Sequence, residues 1–482
     1  MIRASKIVRK TIIQPNFVLI FIAISLVLIF LKWNTLHAPF HWDVMGFTVP
    51  TAENIYHHGV FISKAGSTGH PPLFLSVLAL TWKIFGKSLF VSHFLNIILG
   101  ALGLTCLFFL ANKLYGIKVA ITSFIFLLFN QTFFTQVGIV YLSIPLMSTA
   151  ILTVYAYIQR KYWLYLVSAI SMLLVKETSL VILGSILLYE IFESLSKKEK
   201  VVAILKRASV LAVPVIPLAA WFLTHYLTTG YVFKTTRVFI NKGNFFSIFF
   251  KNFMKHFIYD SSIENFNRTN WIIFIFIIVL FMSSIKRKLK YEKLFLLIIL
   301  LNVTLFSLTD DLPRYFLITF PFFLLMGARA SVSLTEQVKG KGRIFLLLAI
   351  ISLYVGLSVM NYHGTRQTDG WRLESNMEYL DMVRLHVKVC EFIQKKHESA
   401  WVMTNDPLDI ALQKPWYGYV DKPMKVIDFR TLERPENTIV VWSAQSNFGP
   451  VVNFMHKNIQ DLRQIREFFY KGKRVRIFKF AQ

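Results

Sequence analysis

Residues that could do chemistry are few in this chain, and they lie far apart. An isolated acid, Asp43, sits within residues 39–73, PFHWDVMGFTVPTAENIYHHGVFISKAGSTGHPPL, a polar and aromatic stretch between two apolar segments. A carboxylate just outside a membrane span can act as a general base on an alcohol or amine, and reduced hydration raises its basicity. The plainer reading is a solvated loop acid. Around it His41, Trp42, Glu53, Tyr56 and His57 are candidate acceptor or sugar contacts, because aromatic-rich loops suit a sugar ring. Three cationic groups are expected on the same face: His70 at the end of the stretch, Lys176 in SMLLVKETSLVIL, and Arg314 after Asp310-Asp311-Leu312-Pro313. Ionisable groups at such depths are expensive and default to functional candidates. Together they could hold a phosphate and stabilise its charge as a leaving group. Against this, Lys176 could pair with Glu177 or snorkel to the interface, Arg314 could pair with Asp310 or Asp311, and His70 could cap or pack a helix.

The scaffold that must position these groups is read from composition and apolar runs. Of 482 residues 55% are hydrophobic and only 16% are charged, and the mean hydropathy is +0.52; a polytopic α-helical membrane protein is implied. The net charge of +27 would suggest nucleic acid in a soluble protein. Here much of the Lys and Arg falls in short clusters between apolar spans, as cytoplasmic loops require, with anionic lipid headgroups or a membrane-held phosphate as a second contribution. No nucleic-acid partner is expected. Cys106 and Cys390, in different regions, imply no disulfide framework.

A basic N-terminus and the apolar run 17–31 read as an uncleaved first span with a cytoplasmic start, so the first loop, 34–88, lies outside. Residues 71–85 are short for a crossing. Placing them as an interfacial helix puts the basic loops 113–118, 160–161, 193–207, 286–293 and 329–343 all inside. The further spans are 89–112, 118–134, 139–159, 162–176, 178–193, 208–228, 271–285, 293–308, 313–329 and 343–361, about eleven crossings with the first. Residues 1–361 form this membrane domain. Residues 362–482 read as a small extracytoplasmic α/β domain, with helices at 376–396 and 452–469 and strands at 401–404, 438–442 and 474–480. No phosphate loop, metal-ligand spacing or nucleophile elbow occurs in it. Its aromatic patch, Trp416-Tyr417-Gly418-Tyr419, is either core or a sugar contact, and Asn267-Arg268-Thr269 fits a glycosylation sequon.

The order of these features resembles a family. A basic N-terminus, a first span, an outer loop opening on Asp43, His70-Pro71-Pro72 entering an apolar helix, a span ending near Leu114-Tyr115-Gly116, Lys176-Glu177-Thr178 and Pro313-Arg314-Tyr315-Phe316 are together similar to the polyprenyl-phosphate-sugar-dependent glycosyltransferases of the C-type membrane fold. These include the protein O-mannosyltransferases and the lipid A aminoarabinose transferases. The resemblance covers residues 1–361. It implies inverting transfer of a sugar from a lipid-phosphate donor to a glycan, lipid or protein acceptor on the outer face of a membrane, expected to be the bacterial inner membrane. Asp43 matches the family's catalytic loop acid, and His70-Pro71-Pro72 matches the element beside the lipid phosphate. Two departures stand out: Val44 follows Asp43 where many relatives carry Glu, leaving Glu53 as the next acid, and Ser143 stands where many carry a second acid. No cofactor is expected with certainty, and use of a divalent metal is in doubt.

Two readings from other classes compete: a transporter or lipid flippase with an outer domain, and a catalytically silent relative. Transporters usually show internal repeats and broken helices at mid-depth, and the sequence displays neither. The polar candidates cluster at one face, which favours surface chemistry.

Overall fold

The computed structural model of the chain describes residues 16–59, 69–232, 247, 291–308, 313–363, 374, 376–427, 429, 435–443 and 449–481. The sequon, Asp310, Asp311 and the span expected at 271–285 lie outside them.

The first helix, α1 (Phe17–Leu31), is apolar on every side and is started by Asn16, whose side chain accepts from the Val18 amide, as one satisfied orphan donor requires. A 3₁₀ turn (Trp33–Thr35) and an irregular stretch through Pro39–Phe40 lead to a π-helical turn (Val44–Thr48), which runs into α2 (Val49–His58). Helix α3 (Leu73–Phe85) packs on α2 and on α4 (Leu89–Tyr115). At 27 residues α4 is the longest helix described, about 40 Å at 1.5 Å per residue. It is capped by Ser88 and stopped at Gly116. Its Gly103 lets α7 (Ser143–Ile158) approach closely: a Cβ there would lie 2.5 Å from Ser148 Oγ, the small-residue contact by which apolar helices associate without a hydrophobic driving force between them.

Helices α5 (Ile117–Phe129), α6 (Gln131–Gln136), α8 (Tyr162–Val175), α9 (Leu180–Ser196), α10 (Val201–Ala212), α11 (Val215–Thr229), α12 (Glu292–Leu308), α13 (Phe320–Thr335) and α14 (Gly342–Met360) complete the bundle. Several expected spans are subdivided. The run 118–134 breaks at Asn130, whose side chain caps α6. The run 313–329 opens as a 3₁₀ turn, Pro313–Ile318, before α13 begins. Contrary to the sequence reading, there is a broken helix: α10 and α11 meet at 51° around Val213-Pro214, where proline removes a backbone donor. Among the described residues three helices, Leu89–Tyr115, Glu177–Ser196 and Gly342–Met360, are long and apolar enough to cross a membrane, or four with the bent pair. The expected count of about eleven, set by ~20 apolar residues per crossing, is not confirmed among the described residues. Six further apolar helices of 10–17 residues are shorter than that length.

Beyond α15 (Glu378–Lys396) lies a five-stranded sheet of order β2-β1-β3-β5-β4, formed by β1 (Trp401–Met403), β2 (Lys425–Ile427), β3 (Thr438–Ser443), β4 (Leu462–Tyr470) and β5 (Lys473–Phe480). β1 runs parallel to both β2 and β3, while β5 runs antiparallel to β3 and β4. Short helices α16 (Leu408–Gln413) and α17 (Gly449–Asn458) fill the crossovers. The helix expected over 452–469 is corrected: it ends at Asn458, and Leu462–Tyr470 is a strand. A tight turn at Lys471 (φ 48) and Gly472 (φ 81) folds β5 back on β4, and that left-handed pair suits a hairpin. Cross-strand pairing overrides the helical spacing of LRQIREFFY.

The sheet domain is docked on the first loop. Tyr419 donates to the Phe40 carbonyl at 2.7 Å, and Trp416 sits edge-on to Phe40 and Trp82, with centroids at 5.3 and 5.6 Å. Gly418, at φ 93, lies where a Cβ would be 2.9 Å from Leu89, so only glycine fits both the conformation and the space.

Candidate active site

Asp43 is presented by a constrained piece of backbone. Trp42 is held at φ 44, a left-handed conformation costly for a bulky residue, and Asp43 is the residue immediately before the π-helical turn. Below it His41 is buried, with its ring 5.5 Å from Tyr379. Burial first, then the nearby His386 and Arg314, push the His41 imidazole down to about 3, so it is a neutral packing group at ordinary pH.

The Asp43 side chain keeps 19% of its surface exposed and meets Arg314, whose Nη2 donates to Oδ2 at 2.5 Å. Arg314 itself is buried, and its other terminal nitrogen pairs with Glu374. The guanidinium lies 4.4 Å from the ring centre of Tyr141 and 5.5 Å from that of Tyr315, within cation–π range. The carboxylates that hold Arg314 are thus Asp43 and Glu374, the second supplied from beyond the last helix of the bundle.

Arg314 opens onto a narrow cleft with room for little more than a water molecule, lined also by Tyr141, Ser143, Lys176, Thr178 and Tyr315. Lys176 is nearly buried, with Nζ 4.3 Å from the ring centre of Tyr315; it forms no ion pair among the described residues. It does not pair with its neighbour Glu177. That carboxylate instead meets His70 Nδ1 at 2.9 Å. Arg314, Ser143 and Lys176 therefore line one cleft, Asp43 is joined to it through Arg314, and the His70–Glu177 pair lies next to Lys176 along the chain.

The other candidates lie elsewhere. Glu53 accepts from Lys87 at 3.1 Å and from Lys414 of the sheet domain at 3.0 Å. Tyr56 packs edge-on to Trp82 at 6.2 Å, and His57 is exposed. Glu53 thus belongs to the seam between the first loop and the sheet domain, Tyr56 and His57 make their contacts within the first loop, and none of the three lines the cleft. Tyr417 and Tyr419 are buried and belong to the same seam.

Two groups had no clear signal in the sequence. Glu374 is one of several acids in an ordinary polar segment. Asp406 follows β1 in Asn405-Asp406-Pro407, and its pKa rises to about 7 through burial first and then through Asp409 and Asp43. That last influence brings the sheet domain within electrostatic reach of Asp43. The turn-forming Asn-Asp-Pro triplet was its only visible mark. Among the described residues no group of three or more His, Cys, Asp or Glu side chains is arranged to hold a metal ion. The two acids that do converge, Asp43 and Glu374, close on a guanidinium, so this donor set does not fit a divalent ion.

Comparison with known proteins agrees with this architecture. A family model described as dolichyl-phosphate-mannose-protein mannosyltransferase matches residues 69–221. Two crystal structures of ArnT from Cupriavidus metallidurans share the fold. The apo form has a TM-score of 0.58 at 12% identity and covers 96% of this chain and 97% of that one. The form bound to undecaprenyl phosphate has 0.56 at 12%, covering 96% and 98%. The archaeal oligosaccharyltransferase AglB from Archaeoglobus fulgidus, in complex with an inhibitory peptide and a dolichol-phosphate, has a TM-score of 0.50 at 10% identity; the match covers 84% of this chain and 64% of AglB. No curated protein sequence matches the chain. The chain thus resembles the C-type membrane-fold glycosyltransferases, and it has the fold of ArnT nearly from end to end.

Proposed function

We propose that the protein is an integral membrane glycosyltransferase that moves a sugar from a polyprenyl-phosphate donor to a hydroxyl of a glycan, lipid or protein acceptor on the outer face. The observation that carries this reading is the ion pair between Asp43 and Arg314, whose guanidinium lines a cleft that also contains Lys176. Asp43 takes the acceptor proton as its oxygen attacks the anomeric carbon. The bond from that carbon to the phosphate oxygen breaks, and the phosphate leaves with the electron pair, so configuration inverts. Lys176, with His70 at the neighbouring turn, faces the developing phosphate charge. Arg314 acts differently from a simple phosphate clamp. Held by two carboxylates, it orients Asp43 and leaves that side chain partly exposed to an acceptor. Ser143 and Glu177 line or flank the same cleft and are assigned to acceptor or sugar contact. The likeness to ArnT supports a polyprenyl-phosphate donor, and the distribution of basic loops supports a cytoplasmic N-terminus with the site and the sheet domain outside, in a bacterial inner membrane.

The test uses purified protein in detergent with radiolabelled polyprenyl-phosphate sugars and envelope extract as acceptor. Turnover of one donor that collapses in Asp43→Asn supports both the class and the base. Retained turnover in Asp43→Asn removes the base assignment. Neither binding nor turnover with any donor would favour the transporter or silent-relative readings.

A further inference from the structure

At the opposite end of the bundle from Asp43, a second cavity of about 620 Å³ opens between the end of α7, the start of α8, the end of α9, the length of α10 and Tyr291 just before α12. Its floor is aromatic, with Tyr157, Tyr165, Tyr189 and Tyr291. Its acids are already engaged. Glu190 accepts from the Tyr157 hydroxyl at 2.6 Å and pairs with Arg207 at 3.1 Å. Glu199 also pairs with Arg207, and Glu193 with Lys197 and Lys293. This network fixes the wall and leaves a surplus of cations at the rim. Arg160, Lys161 and Lys206 line the cavity and make no ion pair among the described residues.

Three independent features point to an anion held beside apolar chains. The turn after α7 puts Arg160 (φ 55) in the left-handed region, a helix-ending position that normally selects glycine; here a cation that lines the cavity occupies it instead. The first turn of α8, which contributes Lys161 and Tyr162 to the lining, has no side-chain cap, so its backbone donors face the same region with the favourable sign for an anion. Finally, α10 carries Lys206 and Arg207 beside strongly exposed Val201, Val202 and Leu205, which are 63%, 77% and 63% accessible. A short basic helix with a bare apolar face is the form of an interfacial helix, lying among headgroups with its apolar side in the acyl region. The break at Val213-Pro214, which turns α10 away from α11 by 51°, allows that orientation.

We infer that this cavity binds the phosphate of an anionic phospholipid of the cytoplasmic leaflet, with Arg160, Lys161 and Lys206 on the headgroup, the tyrosine floor beneath it, and the acyl chains along α10. The inference is independent of the sugar-transfer reading; it requires only that the basic loops face the cytoplasm.

The experiment uses the delipidated full-length protein in neutral detergent. Phosphatidylglycerol, phosphatidylcholine and soluble glycerol 1-phosphate are each titrated, with bound lipid read by native mass spectrometry and thermal stability in parallel. Phosphatidylglycerol should bind at least tenfold more tightly than phosphatidylcholine, and its binding should weaken with salt. The Arg160→Gln/Lys161→Gln/Lys206→Gln variant should lose that preference while melting normally without lipid, because its changes are at the exposed rim. Equal binding of the two lipids, or an unchanged preference in the triple variant, would overturn the site. Glycerol 1-phosphate binding as tightly as the lipid would overturn the lipid source. If the triple variant melts low, the single Lys206→Gln variant repeats the comparison, and an unchanged preference there counts against the proposal.

Discussion

Arg314 reaches Asp43 at 2.5 Å although 271 residues separate them. The contact joins the turn before α13 to the first loop, and Glu374, from just before the sheet domain, closes on the same guanidinium. One buried cation therefore ties together three distant parts of the chain. Breaking such an arrangement is costly because two acids are left facing each other without a counter-charge, about 3–5 kcal/mol for a buried pair. Arg314→Gln should lower the melting temperature sharply in detergent. Arg314→Gln/Glu374→Gln should recover part of the loss, and a double-mutant cycle on melting data measures the coupling. Additive losses would mean that Glu374 and Arg314 do not act as a unit.

Asp43→Asn separates stability from chemistry. The amide is nearly the shape of the carboxylate, and Arg314 keeps Glu374, so melting should change little. Transfer, on the function proposed above, should fall by roughly 10²–10⁴, the usual contribution of a positioned base. Circular dichroism melts beside donor-turnover assays check both halves. A large drop in melting temperature without loss of turnover would make Asp43 a structural residue.

Lys176 is held by a ring rather than by an acid, with Nζ 4.3 Å from the centre of Tyr315. Such a cation has little ion-pair energy to lose, and Lys176→Gln should cost about 1 kcal/mol, the order of a cation–π contact. If it faces the donor phosphate in ground and transition states alike, KM for the donor should rise about tenfold or more with a smaller change in kcat. A fall in kcat at constant KM would instead place it only at the leaving group.

The sequence made much of the site legible and much of the scaffold's detail obscure, for physical reasons. Asp43, His70, Lys176 and Arg314 were visible because an ionisable group among apolar runs is expensive wherever it sits. Which acid would meet which base was not visible: the near neighbour Glu177 turned to His70, while Arg314 took an acid from the first loop and another from beyond α14. Local spacing cannot rank partners that only the fold brings together. Glu53 looked like a loop acid of the site, yet two lysines draw it into the seam with the sheet domain. Apolar runs marked where helices form, but not where Asn130 or Pro214 would interrupt them. In the sheet domain, LRQIREFFY carries a spacing compatible with a helix, and only its partner strand beyond Gly472 decides otherwise.

Asp406 gives a pH signature. Its pKa in the folded protein is raised to about 7, so between the usual carboxylate value of about 4 and that point the folded form keeps a proton that the unfolded chain has lost. Stability is therefore greatest on the acid side and declines as pH rises through this window, by on the order of 2–4 kcal/mol from this group. Asp406→Asn removes the slope and should raise the melting temperature at pH 8 more than at pH 5. Equal effects at both pH values would mean that Asp406 titrates normally and lies in a wetter setting.

The seam between the first loop and the sheet domain offers the last prediction. Trp416 is wedged against Phe40 and Trp82, and Lys414 reaches Glu53, which also holds Lys87. The aromatic wedge should dominate, because the ion pair is part-exposed and such pairs are worth about 0–1 kcal/mol. Removing a well-packed Trp costs about 3–5 kcal/mol, here toward the lower end, since Trp416 is only half-buried. Lys414→Ala should therefore leave melting nearly unchanged. Trp416→Ala should loosen the docking without unfolding the sheet, whose own core of Val402, Ile439, Val441 and Ile477 does not include it. Limited proteolysis separates these effects: Trp416→Ala should release an intact C-terminal fragment faster than wild type, with cleavage between the bundle and α15. Degradation of the sheet domain itself would show instead that its fold depends on the docked loop. Since the backbone at Phe40, three residues before Asp43, is pinned by Tyr417 and Tyr419 from this domain, the same variant should also blunt the coupling between Asp43 and Arg314, which the double-mutant cycle reads directly.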